Sequence, residues 1–143
     1  KPVILKKISD FYGHQAVVLQ IDCKKNFENQ WEVYIDYGRQ KTGIDVFNWT
    51  EKALKMGIGE IIATVIDKDG KQAGLDCDLY KKLSSNFDIP IIACGGAGNF
   101  SDIYEVFNIK SIKAVCISSM FHYNLITPDK LKKKLKSKGI PLR

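Results

Sequence analysis

The chain has 143 residues, a length that suits one domain or part of a larger one. Hydrophobic residues make up 45% of it and charged residues 27%, which excludes a disordered chain and allows a core. No apolar run approaches the ~18 residues that a membrane span needs, and no secretory signal opens the chain. We therefore expect no membrane partner.

The net charge of +6 does not predict nucleic-acid binding. Six lysines close to the carboxyl terminus roughly account for the whole excess: Lys130, Lys132, Lys133, Lys134, Lys136 and Lys138. Such a cluster is typical of one solvated helix face. No aromatic residues are interleaved with it, as stacking on single-stranded nucleic acid would require.

The cysteines indicate a reducing compartment. Cys23, Cys77, Cys94 and Cys116 form no CxxC pair, and neither histidine stands near a cysteine pair. We predict reduced, mostly buried thiols of a cytoplasmic protein, with no metal site and no cofactor.

Strands and helices are predicted to alternate along the chain. In order, the patterns predict a helix at 4–13, a strand at 16–22, a hairpin arm at 31–38, a helix at 45–56, a strand at 60–67, a helix at 78–87, a strand at 90–95, a helix at 100–109, a strand at 113–118 and a helix at 127–139. The strands are nearly continuous in hydrophobicity, as parallel strands covered on both faces are. We expect Ser101 to cap the helix at 100–109, and Thr127 with Pro128 to open the last helix.

This alternation predicts a parallel α/β architecture with right-handed crossovers. Two architectures fit it: an open doubly wound sheet, or part of a (β/α)₈ barrel. A barrel usually takes ~250 residues, so the chain suffices for half of one.

Polar and glycine residues follow each predicted strand, where both architectures place their active sites. In strand order they are Asp22 and Lys24; Asp67, Asp69 and Gly70; Gly95, Gly96, Ala97 and Gly98; and Ser118 and Ser119. Glycines let backbone N–H groups approach phosphate oxygens, so we predict a phosphate site near Gly96–Gly98 and Ser118–Ser119. The carboxylates opposite it can do acid–base work.

Each group also has a purely structural interpretation. Asp22 can simply close a strand, Asp67–Gly70 can form a turn, and the glycines can serve close helix–strand packing. The two serines can cap a short helix, and His122 is expected to be a packing residue. A bulky side chain at Gly96 tests the glycines: it should weaken phosphate binding without unfolding the protein.

Several motifs, in the same order and spacing, resemble the carboxyl-terminal half of the cyclase subunit of imidazole glycerol phosphate synthase, HisF. The quoted stretches are "QAVVLQIDCKK", "KTGIDVFNWTEKALKMGIGEIIATVIDKDG", "GLDCDL", "PIIACGGAG", "SSMFHY" and "LKSKGIPLR". The similarity runs from about Phe11 to the end. It implies a (βα)₄ half of a (β/α)₈ TIM barrel, with residues 1–143 supplying strands five to eight and the amino-terminal half absent from this chain.

The resemblance implies a lyase of histidine biosynthesis. That family takes ammonia from a docked HisH-like glutaminase subunit. With it, the family converts a ribulosyl aminoimidazole carboxamide ribonucleotide into imidazole glycerol phosphate and aminoimidazole carboxamide ribonucleotide. The half alone is expected to be inactive.

The family's site residues carry over onto matching positions of this sequence. Asp22 becomes the catalytic carboxylate of this half, with Asp69 beside the substrate. Glu60, at the opposite mouth, joins a charged ring that gates ammonia. The substrate and its phosphate are held by Lys24, Gly70, Gly95, Gly96, Ala97, Ser118 and Ser119.

Some positions depart from the family pattern. The family usually has a small polar residue where Val65 stands, Thr where Lys71 stands, and Gly or Ser where Asp36 and Tyr37 stand. Two alternatives therefore stay open: a HisF-like paralogue that passes ammonia to a sugar acceptor in surface glycan synthesis, and a non-catalytic ammonia-channel scaffold.

A half-barrel would leave unpaired strand edges at 16–22 and 113–118, together with an uncovered inner face. Exposed apolar edges invite association. We expect the rest of a barrel, or self-association with a second copy, to cover them.

Overall fold

The computed structural model describes residues 2–142. Its elements are α1 (Val3–Tyr12), a short 3₁₀ helix (His14–Ala16), β1 (Val18–Lys25), β2 (Trp31–Ile35), β3 (Gln40–Asp45), α2 (Val46–Lys55), β4 (Glu60–Val65), α3 (Cys77–Asn86), β5 (Ile91–Cys94), α4 (Phe100–Phe107), β6 (Ile112–Val115), α5 (Ser119–His122) and α6 (Pro128–Ser137). The helices and strands predicted from sequence are all present, with ends shifted by no more than three residues.

The strands form one sheet in the order β3-β2-β1-β4-β5-β6. β1, β4, β5 and β6 pair in parallel and in chain order, whereas β2 and β3 form an antiparallel hairpin on the β1 edge. The predicted hairpin arm is therefore β2, with β3 as its partner. This arrangement is half of a (β/α)₈ barrel, extended by a hairpin.

The helices cover one face of this sheet. Alternate residues of β1 are buried on that face, among them Leu19 and Ile21, and Ile61 and Ala63 of β4 continue the layer. The opposite face, which lines the inside of a barrel, leaves Val18 45% exposed and Gln20 exposed. Helices on one face only distinguish a barrel segment from a doubly wound sheet, which has helices on both.

Side-chain caps begin four of the helices. Asp45 accepts hydrogen bonds from the N–H groups of Phe47 and Asn48 at the start of α2, and Thr127 caps α6 as predicted. The expected cap at Ser101 is wrong: Asn99 caps α4 and forms a capping box with Asp102. Oδ1 of Asn99, two residues earlier, accepts from the N–H of Asp102, so Ser101 lies inside the helix.

Strand β1 runs past the predicted end at residue 22. Asp22 to Lys25 pair with Tyr34 to Trp31 of β2, which supplies hydrogen-bond partners beyond the parallel ladder. The prediction of an open edge at 16–22 is therefore wrong for its carboxyl-terminal end, which the hairpin covers.

The carboxyl-terminal lysines form a solvated face, as expected. Leu131 and Leu135 of α6 are buried, and the six lysines around them are exposed. Within residues 2–142, no helix is long and apolar enough to cross a membrane.

The cysteines correct one expectation. All four are free thiols, but only Cys23 is buried; Cys77 and Cys94 are partly exposed and Cys116 is exposed. Cys116 follows β6 on the side of the sheet that the helices within residues 2–142 leave uncovered.

Candidate active site

A cavity of about 170 Å³ opens at the carboxyl ends of the parallel strands. Its walls come from the loops that follow β4, β5 and β6. The lining residues are Asp69, Cys94, Gly95, Gly96, Ala97, Cys116, Ile117, Ser118 and Ser119. Six of the residues predicted for catalysis or phosphate binding thus share one cavity.

Close backbone packing shapes the glycine loop. Gly95 and Gly96 have φ values of 91° and 104°, a region that L side chains rarely adopt. A Cβ on Gly95 would stand 2.7 Å from the carbonyl oxygen of Val65, and one on Gly96 would collide with the carbonyl of Gly74. Close packing against neighbouring backbone therefore requires glycine at both positions, as the structural interpretation predicted. The expectation that Gly96 tolerates a bulky side chain is wrong, because the substitution would strain the fold itself.

The same loop leaves backbone donors free. Within the described residues, the N–H groups of Gly96 and Ala97 have no protein acceptor. The N–H of Gly98 does not join them, since it donates to Oδ2 of Asp102 at 2.9 Å. The N–H of Gly98, which the prediction included among the phosphate donors, is therefore already bonded to the Asp102 side chain.

The serines stand where a short helix begins. Ser118 is the N-cap position of α5, yet its side chain makes no capping hydrogen bond. Phe121 and His122 instead donate to the backbone carbonyl of Ser118. The hydroxyls of Ser118 and Ser119, both at the cavity wall, are consequently available to a ligand.

Asp69 belongs to a tight turn after β4. Its N–H and that of Lys68 both donate to the carbonyl of Val65, at 3.1 and 3.0 Å. The backbone of Asp67–Gly70 therefore forms a turn, as the structural interpretation predicted. The same turn places Asp69 in the wall of the cavity. Gly70, with a φ of 74°, completes the turn and does not line the cavity.

Asp22 lies on the inner face of the sheet, beside the cavity and not in its wall. It pairs in register with Thr64 of β4, which pairs with Cys94 of β5. Gln20, two residues earlier on the same face, places Nε2 3.5 Å from Oδ1 of Asp22. One strand, β4, thus separates this carboxylate from the strand that carries Cys94.

Besides Asp22 and Gly70, two further predicted residues, Lys24 and Glu60, do not line the cavity. The Lys24 ammonium stands 4.7 Å from the ring centre of Tyr34, in a second cavity of about 280 Å³ that also contains Asp67. Glu60 begins β4 at the other end of the sheet, where it pairs in register with Val18 of β1. The predicted residues that the structure brings together in one cavity are Asp69, Gly95, Gly96, Ala97, Ser118 and Ser119. Asp22 lies beside this cavity, and Lys24 and Gly70 lie farther from it. Glu60 is at the opposite end of the sheet.

Three lining residues were not predicted: Cys94, Cys116 and Ile117. Cys94 is the last residue of β5, and Cys116 follows β6. Both cysteines lie at the carboxyl ends of parallel strands, where active-site residues are expected. Because their neighbours in sequence are apolar, the sequence indicated core residues instead.

Four parallel βα units with a polar cavity at the carboxyl ends of their strands define an enzyme scaffold of the (β/α)-barrel class. The sequence model of a family described as "Histidine biosynthesis protein" matches residues 1–127. The chain belongs to this family.

Individual relatives agree with the family match. The imidazole glycerol phosphate synthase subunit HisF of Endomicrobium trichonymphae is 44% identical over 142 residues, which cover 99% of this chain and 54% of the relative. The proteins of the same name from Dehalococcoides mccartyi and Streptococcus mutans are 41% and 39% identical, with 56% and 57% of their lengths covered. The chain spans about half the length of the curated relatives it matches.

Proposed function

We propose that this chain is the carboxyl-terminal half of a cyclase subunit of imidazole glycerol phosphate synthase, and that residues 1–143 act together with an amino-terminal half. One observation carries the proposal. Free backbone donors, two hydroxyls and the Asp69 carboxylate converge on one cavity, at the sheet end that also holds Asp22.

The cavity is suited to a phosphate group of the substrate. The N–H groups of Gly96 and Ala97 are preorganised donors, because neighbouring backbone fixes the loop. The hydroxyls of Ser118 and Ser119 add donors from the other side. Donors of this kind hold phosphate oxygens without a cation, as in other backbone anion sites.

Asp22 and Asp69 supply the proton transfers. Ring closure with ammonia needs a group that removes a proton and one that returns it, and carboxylates at the strand ends do both in this class of site. Asp22 stands on the inner face next to the cavity, where a substrate whose phosphate occupies the glycine loop extends across β4 towards it.

Ammonia enters from the opposite end of the sheet. Glu60 marks that mouth, on the inner face of β4 in line with Ile62 and Thr64. A HisH-like glutaminase docked there would deliver ammonia to the inner face, on which Asp22 also lies. The products are imidazole glycerol phosphate and aminoimidazole carboxamide ribonucleotide, formed in the cytoplasm.

The residues that depart from the family pattern do not line the cavity. Asp36 and Tyr37, with φ values of 51° and 55°, lie in the turn between β2 and β3. Val65 is fully buried, and Lys71 is exposed. This distribution favours the cyclase over a sugar-amidating paralogue, whose different acceptor would need a changed cavity.

Complementation tests the proposal. The chain is mixed with the amino-terminal half of the Endomicrobium trichonymphae HisF and assayed with ammonium and the ribulosyl substrate for imidazole glycerol phosphate. We expect turnover from the mixture and none from either half alone. A mixture that assembles and binds the substrate without turnover would support the scaffold, and binding of a nucleotide sugar would support the paralogue.

A Ser119→Ala variant tests the phosphate step separately. A hydrogen bond to a charged group is worth ~1.5–3 kcal/mol, so phosphate should bind roughly tenfold or more weakly. Ser101→Ala, on the exposed face of α4, is the matched control and should bind phosphate normally. Equal affinities in the two variants would remove Ser119 from the site.

A further inference from the structure

Cys94 and Cys116 are neighbours across two parallel strands. The last register pair of β5 and β6 joins Ala93 to Val115, and one residue further along each strand come Cys94 and Cys116. The N–H of Cys116 donates to the carbonyl of Ala93 at 2.8 Å, which holds this register.

Both side chains face the same space. Cys94 and Cys116 line the cavity together, between the glycine loop and the serines. Burial raises the pKa of Cys94; a hydrogen bond with Thr64 opposes this shift, and the adjoining Cys116 thiol adds to it. Both thiols line the same cavity, which opens them to small solutes.

We propose that Cys94 and Cys116 are a modification site: a dithiol in the cavity wall that a peroxide converts to an intramolecular disulfide. Nothing in the proposed cyclase reaction uses either thiol. The site is defined by the position of the two cysteines in the sheet and does not depend on the proposed function.

The chemistry needs one peroxide molecule for each disulfide. The exposed Cys116 sulfur attacks the peroxide, the O–O bond breaks, and a sulfenic acid and one water form. The Cys94 sulfur then attacks the sulfenic sulfur, the S–O bond breaks, and a second water leaves as the S–S bond forms. The two thiols lose two electrons and two protons in all, and the peroxide takes up both.

The strand geometry permits this bond. Neighbouring strands lie about 4.8 Å apart. Disulfides usually join Cα atoms ~4.4–6.8 Å apart, so the two cysteines need little backbone movement. Neither of the other two cysteines can compete: Cys23 is buried on the helix-covered face, and Cys77 begins α3 and does not line the cavity.

Disulfide formation would alter the cavity next to Gly95 and Ser118. This consequence rests on the proposed function, because it assumes that the cavity holds phosphate. We expect the oxidised chain to bind inorganic phosphate at least several-fold more weakly than the reduced chain.

Peptide mapping of the full chain after treatment with hydrogen peroxide tests the dithiol. We expect loss of two thiols per chain, one peptide pair linked through Cys94 and Cys116, and full recovery with dithiothreitol. The Cys94→Ser and Cys116→Ser variants should lose the link, whereas Cys77→Ser should keep it.

Three results would overturn the proposal: a link that involves Cys77, a disulfide between two chains, or irreversible oxidation of Cys116 without any link. The phosphate measurement is independent of this outcome. If the disulfide forms while the reduced chain binds no phosphate, the dithiol stands and the phosphate site of the proposed function fails.

Discussion

Asp22 lies on the inner face of the sheet and makes few side-chain hydrogen bonds. Its one side-chain hydrogen-bond neighbour is Gln20, among the residues that the structure describes. A carboxylate placed in this way leaves its oxygens open to contact by a ligand, which is the geometry that general acid–base catalysis requires.

We therefore expect Asp22→Asn to abolish cyclase turnover in the complemented barrel. Substrate affinity should stay within about tenfold, because proton transfer contributes to the transition state more than to ground-state binding. Steady-state kinetics and substrate titration measure the two effects. Asp10→Asn, on the exposed face of α1, is the control and should leave turnover intact. Near-normal turnover of Asp22→Asn would remove this residue from the mechanism.

The buried thiol of Cys23 makes stability depend on alkaline pH. Burial, reinforced by the carboxylates of Asp76, Asp67 and Asp22, raises the pKa of Cys23 far above that of an ordinary thiol. Above about pH 9 the unfolded chain releases this proton and the folded chain keeps it. The free energy of unfolding is therefore unaffected by this thiol below that pH. Above it, the free energy of unfolding falls by about 1.4 kcal/mol per pH unit.

Cys23→Ala should make this decline shallower by about 1.4 kcal/mol per pH unit. Urea unfolding between pH 8 and pH 11 measures it. Val33→Ala, opposite Cys23 in the sheet, is the matched control. It also removes buried methyl groups, so it should lower stability at every pH without changing the slope. Equal slopes in wild type and Cys23→Ala would show that another group, such as the buried Tyr80, controls alkaline unfolding.

At the scale of elements, Asp76 connects α3 to the hairpin. One of its oxygens accepts from the N–H of Leu79 and caps α3, and the other accepts from Nε1 of Trp31 at 3.0 Å. Both Asp76 and the Trp31 side chain are buried. The hairpin is thus held through a residue 45 positions away as well as through its ladder to β1.

We expect Asp76→Ala to destabilise the chain by about 3 kcal/mol, since a cap is lost and the buried indole N–H is left without an acceptor. Asp45→Ala removes a cap alone and should cost about 1 kcal/mol. Denaturant unfolding gives both values, and their difference measures the Trp31 hydrogen bond. If the two variants lose the same stability, the indole contact contributes nothing.

Across the whole molecule, apolar surface remains uncovered. Val18 is exposed on the inner face, and α1 exposes Val3, Ile4, Phe11 and Tyr12 by 58 to 80%. Exposed apolar groups on this scale mark a surface that another chain or segment covers. The hairpin protects the carboxyl-terminal part of the β1 edge, but β6 is the last strand of the sheet on the other side, among residues 2–142.

The chain alone should therefore bind an apolar dye or associate, and addition of the amino-terminal half of a HisF relative should displace the dye and give a one-to-one complex. Phe11→Ser should reduce dye binding. Phe27→Ser, at the isolated tip of the β1–β2 loop, should not. Dye fluorescence and light scattering measure these changes. A 16.2 kDa monomer that unfolds cooperatively and excludes the dye would contradict the prediction.

Sequence reasoning was most reliable where structure is local. The period of apolar residues located the five long helices and every parallel strand but not the four-residue α5. The Thr127–Pro128 pair correctly marked the start of α6. The expectation that active-site residues follow the carboxyl ends of parallel strands also identified most of the residues that line the cavity. It succeeded because parallel strands bring their carboxyl ends to one edge of the sheet whatever their exact register.

Contacts between residues that are distant in the chain were decided only by the tertiary structure. It showed that Gly96 packs too closely against Gly74 to accept a side chain, and that β2 extends β1 beyond Asp22. It also placed Cys94 beside Cys116. The strand pattern of the sequence determines which face a residue occupies, but its neighbour on the next strand depends on register, which hydrogen bonds between distant segments set.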